Sequence, residues 1–272
     1  MKKFIFKSHF QKAVGAMALT IALSAIPSAL VSAEVLPSPP SENAASLRAS
    51  ALPELGDTRL EKILSKYYET RFGGTETWDR IHSIVVSGQR KEGEATFEFK
   101  AIRKKPNLIK IILRQDSEET TLAFDGKNAW KKGPASAGPQ VMAPEEAWAL
   151  SHAAPFGGHL VFPYAEGKII KFIDTVPVEG RICHQIQVFS NPDFLVEYFI
   201  DIRDWVEVKV TSTNLRTGHS KTKIYRAYSN EFGFPIATHV DRYENGTKLS
   251  STKIDAIEVN RGVMPWMFQM PR

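Results

Sequence analysis

The chain has 272 residues, of which 43% are hydrophobic, 10% are aromatic and one is a cysteine. This composition is that of a globular protein, and it excludes a disordered chain, a disulfide framework and a cysteine-based metal cluster. The formal net charge of +5 would favour nucleic-acid binding only if the basic residues lay in the folded part of the chain.

The first predicted element is a secretory signal peptide over residues 1–33. Lys2, Lys3, Lys7 and Lys12 precede an apolar run, 13–33, that has no acidic residue and ends in small side chains. The run is too short and too rich in serine for the alternative, a transmembrane anchor. Without these four lysines the chain has 31 basic and 30 acidic side chains. We therefore expect a periplasmic protein with no nucleic-acid partner.

A flexible tether rich in Pro, Ser and Ala is predicted over 34–56, followed by a single domain over 57–272. The domain begins with a helix capped by Asp57 or Thr58 and ended by Gly73-Gly74. Its apolar side chains follow the spacing of one helical face: Leu60, Ile63, Leu64, Tyr67 and Tyr68. A shorter helical turn is predicted from Thr75 to Arg80.

Beyond this turn the period of the apolar residues changes from 3.6 to 2, which predicts strands. The predicted strands are 82–90, 94–103, 107–114, 119–124, 128–132, 168–175, 181–190, 194–202, 205–213, 219–229, 236–244 and 247–259. Short turns such as Asn245-Gly246 join them, and they favour an antiparallel meander. Cys183 is predicted to be a small buried side chain, with His184 on the opposite face of its strand.

The stretch from Gly133 to Tyr164 separates the two series of strands. Pro144-Glu145-Glu146 predicts the start of a helix, with proline at its first position and acids in its first turn. A short helix or loop, 155–163, follows it and is too apolar for an idle surface connection.

Several strands have one apolar and one polar face, as in the series Val206, Val208 and Val210 against Glu207 and Lys209. The predicted fold class is mainly β with a few helices. The antiparallel meander forms an unclosed, curved half-barrel covered by the N-terminal helix and the helical insert. A sandwich or closed barrel with a filled core shows the same alternation, so the pattern alone leaves both open.

Five short motifs add a resemblance to a known family. They are Gly73-Gly74 with Trp78, Val85-Val86-Ser87-Gly88, Lys105-Pro106-Asn107-Leu108-Ile109-Lys110, Asp125-Gly126-Lys127-Asn128-Ala129-Trp130 and Gly233-Phe234-Pro235. From about Leu60 onwards the chain resembles the outer-membrane lipoprotein-sorting superfamily, whose members are periplasmic carriers of lipid-modified proteins and relatives that sense them. The resemblance implies an unclosed barrel with helices over an apolar concavity.

The resemblance also implies candidate binding residues. The residues expected to line the cavity are Phe97, Phe99, Ile109, Ile111, Leu113, Leu122, Phe124, Val196, Tyr198 and Ile200. The residues expected in the lid are Trp148, Leu150, Phe156 and Phe162. Carriers lock their lid with an arginine, and Arg103 and Arg114 are the candidates by strand placement.

We expect a monomeric, non-catalytic carrier or binding protein for lipoproteins or lipid acyl chains, in peripheral contact with the membrane. The alternative is an envelope sensor or scaffold with a filled core, whose tether and Val263–Phe268 segment dock a protein partner. An enzyme ranks third, because the chain has no zinc-protease, nucleophile-elbow, P-loop or dinucleotide motif. We expect no metal and no cofactor, and His152 and His159 are the only histidine pair placed to suggest otherwise.

Overall fold

The computed structural model describes residues 55–134, 136, 138–161 and 167–271. The predicted signal peptide, nearly all of the predicted tether and Phe162 lie outside the described residues. The helices are α1 (Thr58–Arg71), α2 (Gly74–Arg80) and α3 (Pro144–Ala153), with a 3-10 turn at Pro265–Phe268.

The strands of both predicted series are present, and one short strand, β6, was not predicted. They are β1 (Ser83–Glu92), β2 (Ala95–Lys104), β3 (Leu108–Gln115), β4 (Glu118–Phe124), β5 (Ala129–Lys132), β6 (Gln140–Val141), β7 (Ile169–Val178), β8 (Arg181–Asn191), β9 (Phe194–Asp201), β10 (Glu207–Asn214), β11 (Ser220–Ser229), β12 (Ile236–Glu244) and β13 (Thr247–Val259).

All of these strands form one antiparallel sheet of 13 strands, in the order β6-β5-β4-β3-β2-β1-β13-β12-β11-β10-β9-β8-β7. Two meanders, β1–β6 and β7–β13, are joined where the first strand pairs with the last. The sheet is not closed, since its edge strands β6 and β7 do not pair. The predicted unclosed, curved half-barrel is confirmed, and the closed barrel and the sandwich are excluded.

Helix α1 lies on the concave face of the sheet. Asp57 is its cap, because the Asp57 carboxylate accepts hydrogen bonds from the backbone N–H groups of Arg59 and Leu60. The predicted apolar face is the buried one and packs on β8, β9, β10 and β12 in the largest core cluster. Gly73, with φ of 66°, provides the left-handed conformation that separates α1 from α2.

Glu207 of β10 joins α1 to the sheet through hydrogen bonds. The carboxylate of this buried residue accepts hydrogen bonds from Tyr67 Oη at 2.6 Å, Arg71 Nε at 2.8 Å and Tyr228 Oη at 3.1 Å. Burial alone would raise the pKa of Glu207, but Arg71 and these hydrogen bonds hold it below its usual value.

The predicted alternation in β10 is wrong at Glu207. A register shift between Glu207 and Lys209 interrupts the pairing with β9. As a result Val208 packs with Cys183 and Phe199, while Val210 belongs to the core under α1. A bulge adds a residue to one strand and so reverses which face the following side chains take.

The convex face is also partly covered by apolar side chains, whereas the alternation had predicted a polar, solvent-exposed face there. Val85, Ile102 and Leu108 form a cluster there with Val263 and Phe268. Trp130 Nε1 donates a hydrogen bond to the carbonyl oxygen of Phe268 at 2.7 Å. The C-terminal segment therefore packs on its own sheet through these side chains.

Candidate ligand-binding site

The predicted cavity residues all lie on the concave face but in three clusters. Under α3, Ile109, Leu122 and Phe124 pack with Leu150 and its neighbours. Between β2 and β3, Phe97 and Leu113 form a second cluster with the half-buried Phe99 and Ile111. Val196, Tyr198 and Ile200 belong to the core under α1.

Tyr198 also has a polar contact in this core. Its hydroxyl accepts a hydrogen bond from the backbone N–H of His159 at 2.8 Å, which ties the segment after α3 to β9. The lining of a ligand cavity by the ten residues stays a prediction.

The helical insert, α3 together with residues 154–161, reaches across the concave face. Leu150 is buried over β3 and β4, whereas Phe156 packs against Trp78 with ring centroids 5.2 Å apart. Trp148 is 38% exposed and contacts the ring of Phe194 edge-on at 5.3 Å. The insert thus contacts both arms of the half-barrel.

Arg103 holds the C-terminal end of α3. Its Nη2 atom donates hydrogen bonds to the carbonyl oxygens of Ala153 at 2.6 Å, Ala154 at 3.3 Å and Pro155 at 3.1 Å. A cation beside the unpaired carbonyls of a helix end is favourable. Arg114, the other candidate, instead pairs with Glu119 at 2.7 Å on the surface.

Sequence reasoning missed a basic patch on the concave face. Strand register places Tyr198, Val210, Lys223 and Arg242 opposite one another in successive strands, so all four share one face. Arg90 lies opposite Phe97 on the same side of the sheet. The alternation of side chains along β11 and β12 could have placed Lys223 and Arg242 on this face. Bulges in both strands interrupt that alternation, so the sequence alone does not show which face each side chain takes.

The pKa values of these basic groups fall because the groups are desolvated and close to one another. Desolvation, together with Arg242 and Arg103, lowers the pKa of Lys223 to about 7. Desolvation and Arg242 lower the pKa of Arg90 to about 10, and desolvation also lowers that of Arg242. The side chain of Lys223 nevertheless remains exposed, as expected for a group inside a hollow that water can enter.

The predicted histidine pair and the cysteine lie beside apolar side chains. His152 and His159 meet around Phe194, and burial together with Lys168 lowers the pKa of His159 to about 3. Cys183 is buried as predicted, and burial raises the pKa of its thiol to about 11. Among residues 55–134, 136, 138–161 and 167–271, no group of three potential ligands is placed to hold a metal.

Two solved structures share this architecture over most of their length. A LolA superfamily protein from Nitrosomonas europaea matches with 11% identity, a TM-score of 0.52, and coverage of 77% of this chain and 96% of that chain. A DUF1329 family protein from Desulfovibrio piger matches with 10% identity, a TM-score of 0.53, and coverage of 76% and 95%. This chain therefore shares its fold with a LolA superfamily protein.

The predicted resemblance to the outer-membrane lipoprotein-sorting superfamily is confirmed at the level of the fold. Neither a protein-family model nor a curated protein matches the chain. In the part of the chain that the structure describes, no helix has both the length and the hydrophobicity needed to cross a bilayer.

Proposed function

We propose that the protein is a periplasmic, non-catalytic carrier or binding protein for lipoproteins or other acylated ligands. The observation that carries this proposal is the helical insert, which covers an apolar concave face and is held at one end by Arg103. In this proposal the ten predicted cavity residues line the acyl site, Trp148, Leu150 and Phe156 form its cover, and Phe162 is assigned to the cover from the sequence alone.

The energetics suit a carrier. Burying an acyl chain contributes about 0.8 kcal/mol per methylene, so a partly covered chain binds without any polar contact. Opening the insert exposes Leu150 and the side chains beneath it, and an incoming chain replaces those apolar contacts. One set of apolar contacts replaces another when the acyl chain enters or leaves. Loading and release therefore change the free energy little.

Two further observations support a periplasmic location and a carrier activity. The predicted signal peptide over residues 1–33 favours the periplasm, and the LolA superfamily fold favours a carrier over an enzyme. We propose a monomer that touches the membrane only peripherally.

The test is native mass spectrometry of the mature protein purified from the cell envelope, followed by extraction and identification of bound lipid. We expect acyl-chain species at near-equal stoichiometry, and transfer of the lipid to acceptor vesicles. A clean apo mass that does not shift when a diacylated lipopeptide is added would contradict the proposal.

A second candidate, an envelope sensor or scaffold, is favoured by apolar side chains on the C-terminal segment. Trp266 is 65% exposed, Met264 51% and Met270 42%, although Val263 and Phe268 beside them are buried. Isolated exposed apolar residues are common, but a group of them is typical of a protein interface. A stable stoichiometric complex with an envelope protein that Trp266→Ala abolishes would favour this candidate.

A further inference from the structure

Two like-charged side chains face each other at the centre of the concave sheet. Lys223 of β11 and Arg242 of β12 are direct cross-strand partners, and Arg242 is in turn opposite Ser250 of β13. Like charges placed directly opposite on neighbouring strands destabilise a sheet. Neither side chain has a hydrogen bond or an ion pair with any residue that the structure describes.

Nearby acidic groups are already paired with other cations. Glu92 forms an ion pair with Arg90 at 2.6 Å, and Glu244 contacts His219 at 2.9 Å and Lys221 at 3.8 Å. Lys223 and Arg242 therefore have no directly paired carboxylate in the described part of the fold, and Glu207, Glu92 and Glu244 act on them only through space. Lys223 is exposed within the hollow and Arg242 is half-buried, so a ligand that enters the hollow can reach both side chains.

An apolar surface adjoins the Lys223–Arg242 pair. Arg90 lies opposite Phe97 across β1 and β2, and Phe97 belongs to the cluster with Phe99 and Leu113. On the other side, Val210 of the core under α1 lies opposite Lys223. A ligand that bridges these surfaces has an anionic group next to an apolar chain.

We infer that Lys223 and Arg242 form an anion subsite in the concave face, which takes the phosphate or carboxylate headgroup of an acylated lipid whose chain lies on the Phe97 cluster. This subsite rests on the proposed function and specifies its ligand as an anionic lipid. Arginine and lysine together suit such a headgroup, because guanidinium donors bind its oxygens in pairs and the ammonium adds a point charge. Binding supplies the directly paired anion that these two side chains do not have among the described residues.

The test compares three monoacyl probes with one chain length on the delipidated mature protein: lysophosphatidylglycerol, lysophosphatidylcholine and monoacylglycerol. The variant Lys223→Gln/Arg242→Gln is set against Lys253→Gln/Arg216→Gln, which removes the same two charges at exposed positions. Charge-assisted hydrogen bonds predict that the wild type prefers the anionic probe by roughly tenfold or more. We expect the first variant to lose this preference and the control to keep it.

Thermal unfolding is a second measurement, and it distinguishes a ligand-binding role of Lys223 and Arg242 from a purely structural one. Removing the like-charge pair should leave the apo melting temperature unchanged or raise it, while affinity for the anionic probe falls. A loss of apo stability in Lys223→Gln/Arg242→Gln, with unchanged probe preference, would overturn the subsite.

The remaining outcomes separate this inference from the proposed function. Equal binding of all three probes by wild type and variant would overturn the subsite and leave the acyl site standing. Binding of glycerol phosphate as tight as that of the acylated probe would overturn the lipid headgroup and indicate a soluble anion. Binding of none of these probes would contradict the acyl-carrier proposal itself.

Discussion

Among single residues, Glu207 and Arg71 form an ion pair between α1 and the sheet that is almost fully buried. Their side chains are 6% and 18% exposed, whereas the Arg114–Glu119 pair is 60% and 43% exposed. We expect Glu207→Gln to lower the free energy of unfolding by about 3 kcal/mol, because the charge of Arg71 stays buried without a counter-charge. Urea denaturation measures this change.

Glu119→Gln is the matched control for Glu207→Gln. It removes the same charge from an exposed arginine–glutamate pair and should cost less than about 1 kcal/mol. Equal costs at the two sites would contradict a special role for the buried pair.

The same carboxylate predicts a pH dependence of stability. The pKa of Glu207 is lower in the folded protein than in the unfolded chain, where it is about 4.3. Its contribution is therefore complete above the unfolded value and is lost as the pH falls through the folded value. The difference in unfolding free energy between wild type and Glu207→Gln should be constant near neutral pH and shrink in acid. A difference that persists undiminished at the lowest pH at which both proteins fold would contradict this assignment.

Two neighbouring aromatic residues in the C-terminal segment should behave oppositely. Phe268 is fully buried against Val85 and Ile102, whereas Trp266 is 65% exposed. We expect Phe268→Ala to cost about 3 to 5 kcal/mol and Trp266→Ala to stay within about 0.5 kcal/mol, both measured by urea denaturation. A large cost at Trp266 would show that the segment packs by its other face.

At the scale of elements, Arg103 should control how often the helical insert opens. Replacing it with glutamine removes charged hydrogen bonds worth about 1.5 to 3 kcal/mol, which predicts roughly tenfold or faster amide exchange in residues 144–161. Arg103→Lys should restore part of the protection because it keeps the charge.

Arg114→Gln is the control, because Arg114 forms an ion pair with Glu119 at the surface and no described contact joins it to the insert. Its exchange pattern over residues 144–161 should match that of the wild type. Hydrogen exchange that speeds up equally in α1 would show that Arg103→Gln destabilises the whole fold and not the insert.

At the scale of the whole molecule, the pairing of β1 with β13 joins the two meanders into one sheet. Gly88 lies at the register shift between these strands, and a Cβ atom added there would come within 2.0 Å of the carbonyl oxygen of Lys253. We expect Gly88→Ala to lower the free energy of unfolding by about 1 to 3 kcal/mol, as other overpacked sites do. Because the pairing links both halves, fluorescence and circular dichroism should report one shared transition.

Gly133→Ala is the control, because nothing lies within 4 Å of a Cβ added at that position. Its effect should stay within about 0.5 kcal/mol. Separate transitions for the two halves in Gly88→Ala would show that the meanders fold independently.

The local pattern of the chain was enough to predict most of the elements. The face of α1, its end at Gly73-Gly74, and the strands of both series follow from periodicity and turn residues. β6 was missed because two residues are too few to show a period. The face assignment failed at Glu207, where a bulge depends on pairing between strands that a single strand's sequence does not show.

The candidate site likewise has features that the sequence predicted and features that only the folded chain shows. Periodicity alone indicated which side chains are apolar and share a face, and the family resemblance added which of them were expected to line a cavity. The folded structure was needed to show that Arg103 rather than Arg114 meets the insert, and that Lys223 lies opposite Arg242. Register between strands and contacts between distant segments fix these facts, and they depend on how the whole sheet curves rather than on any local run of residues.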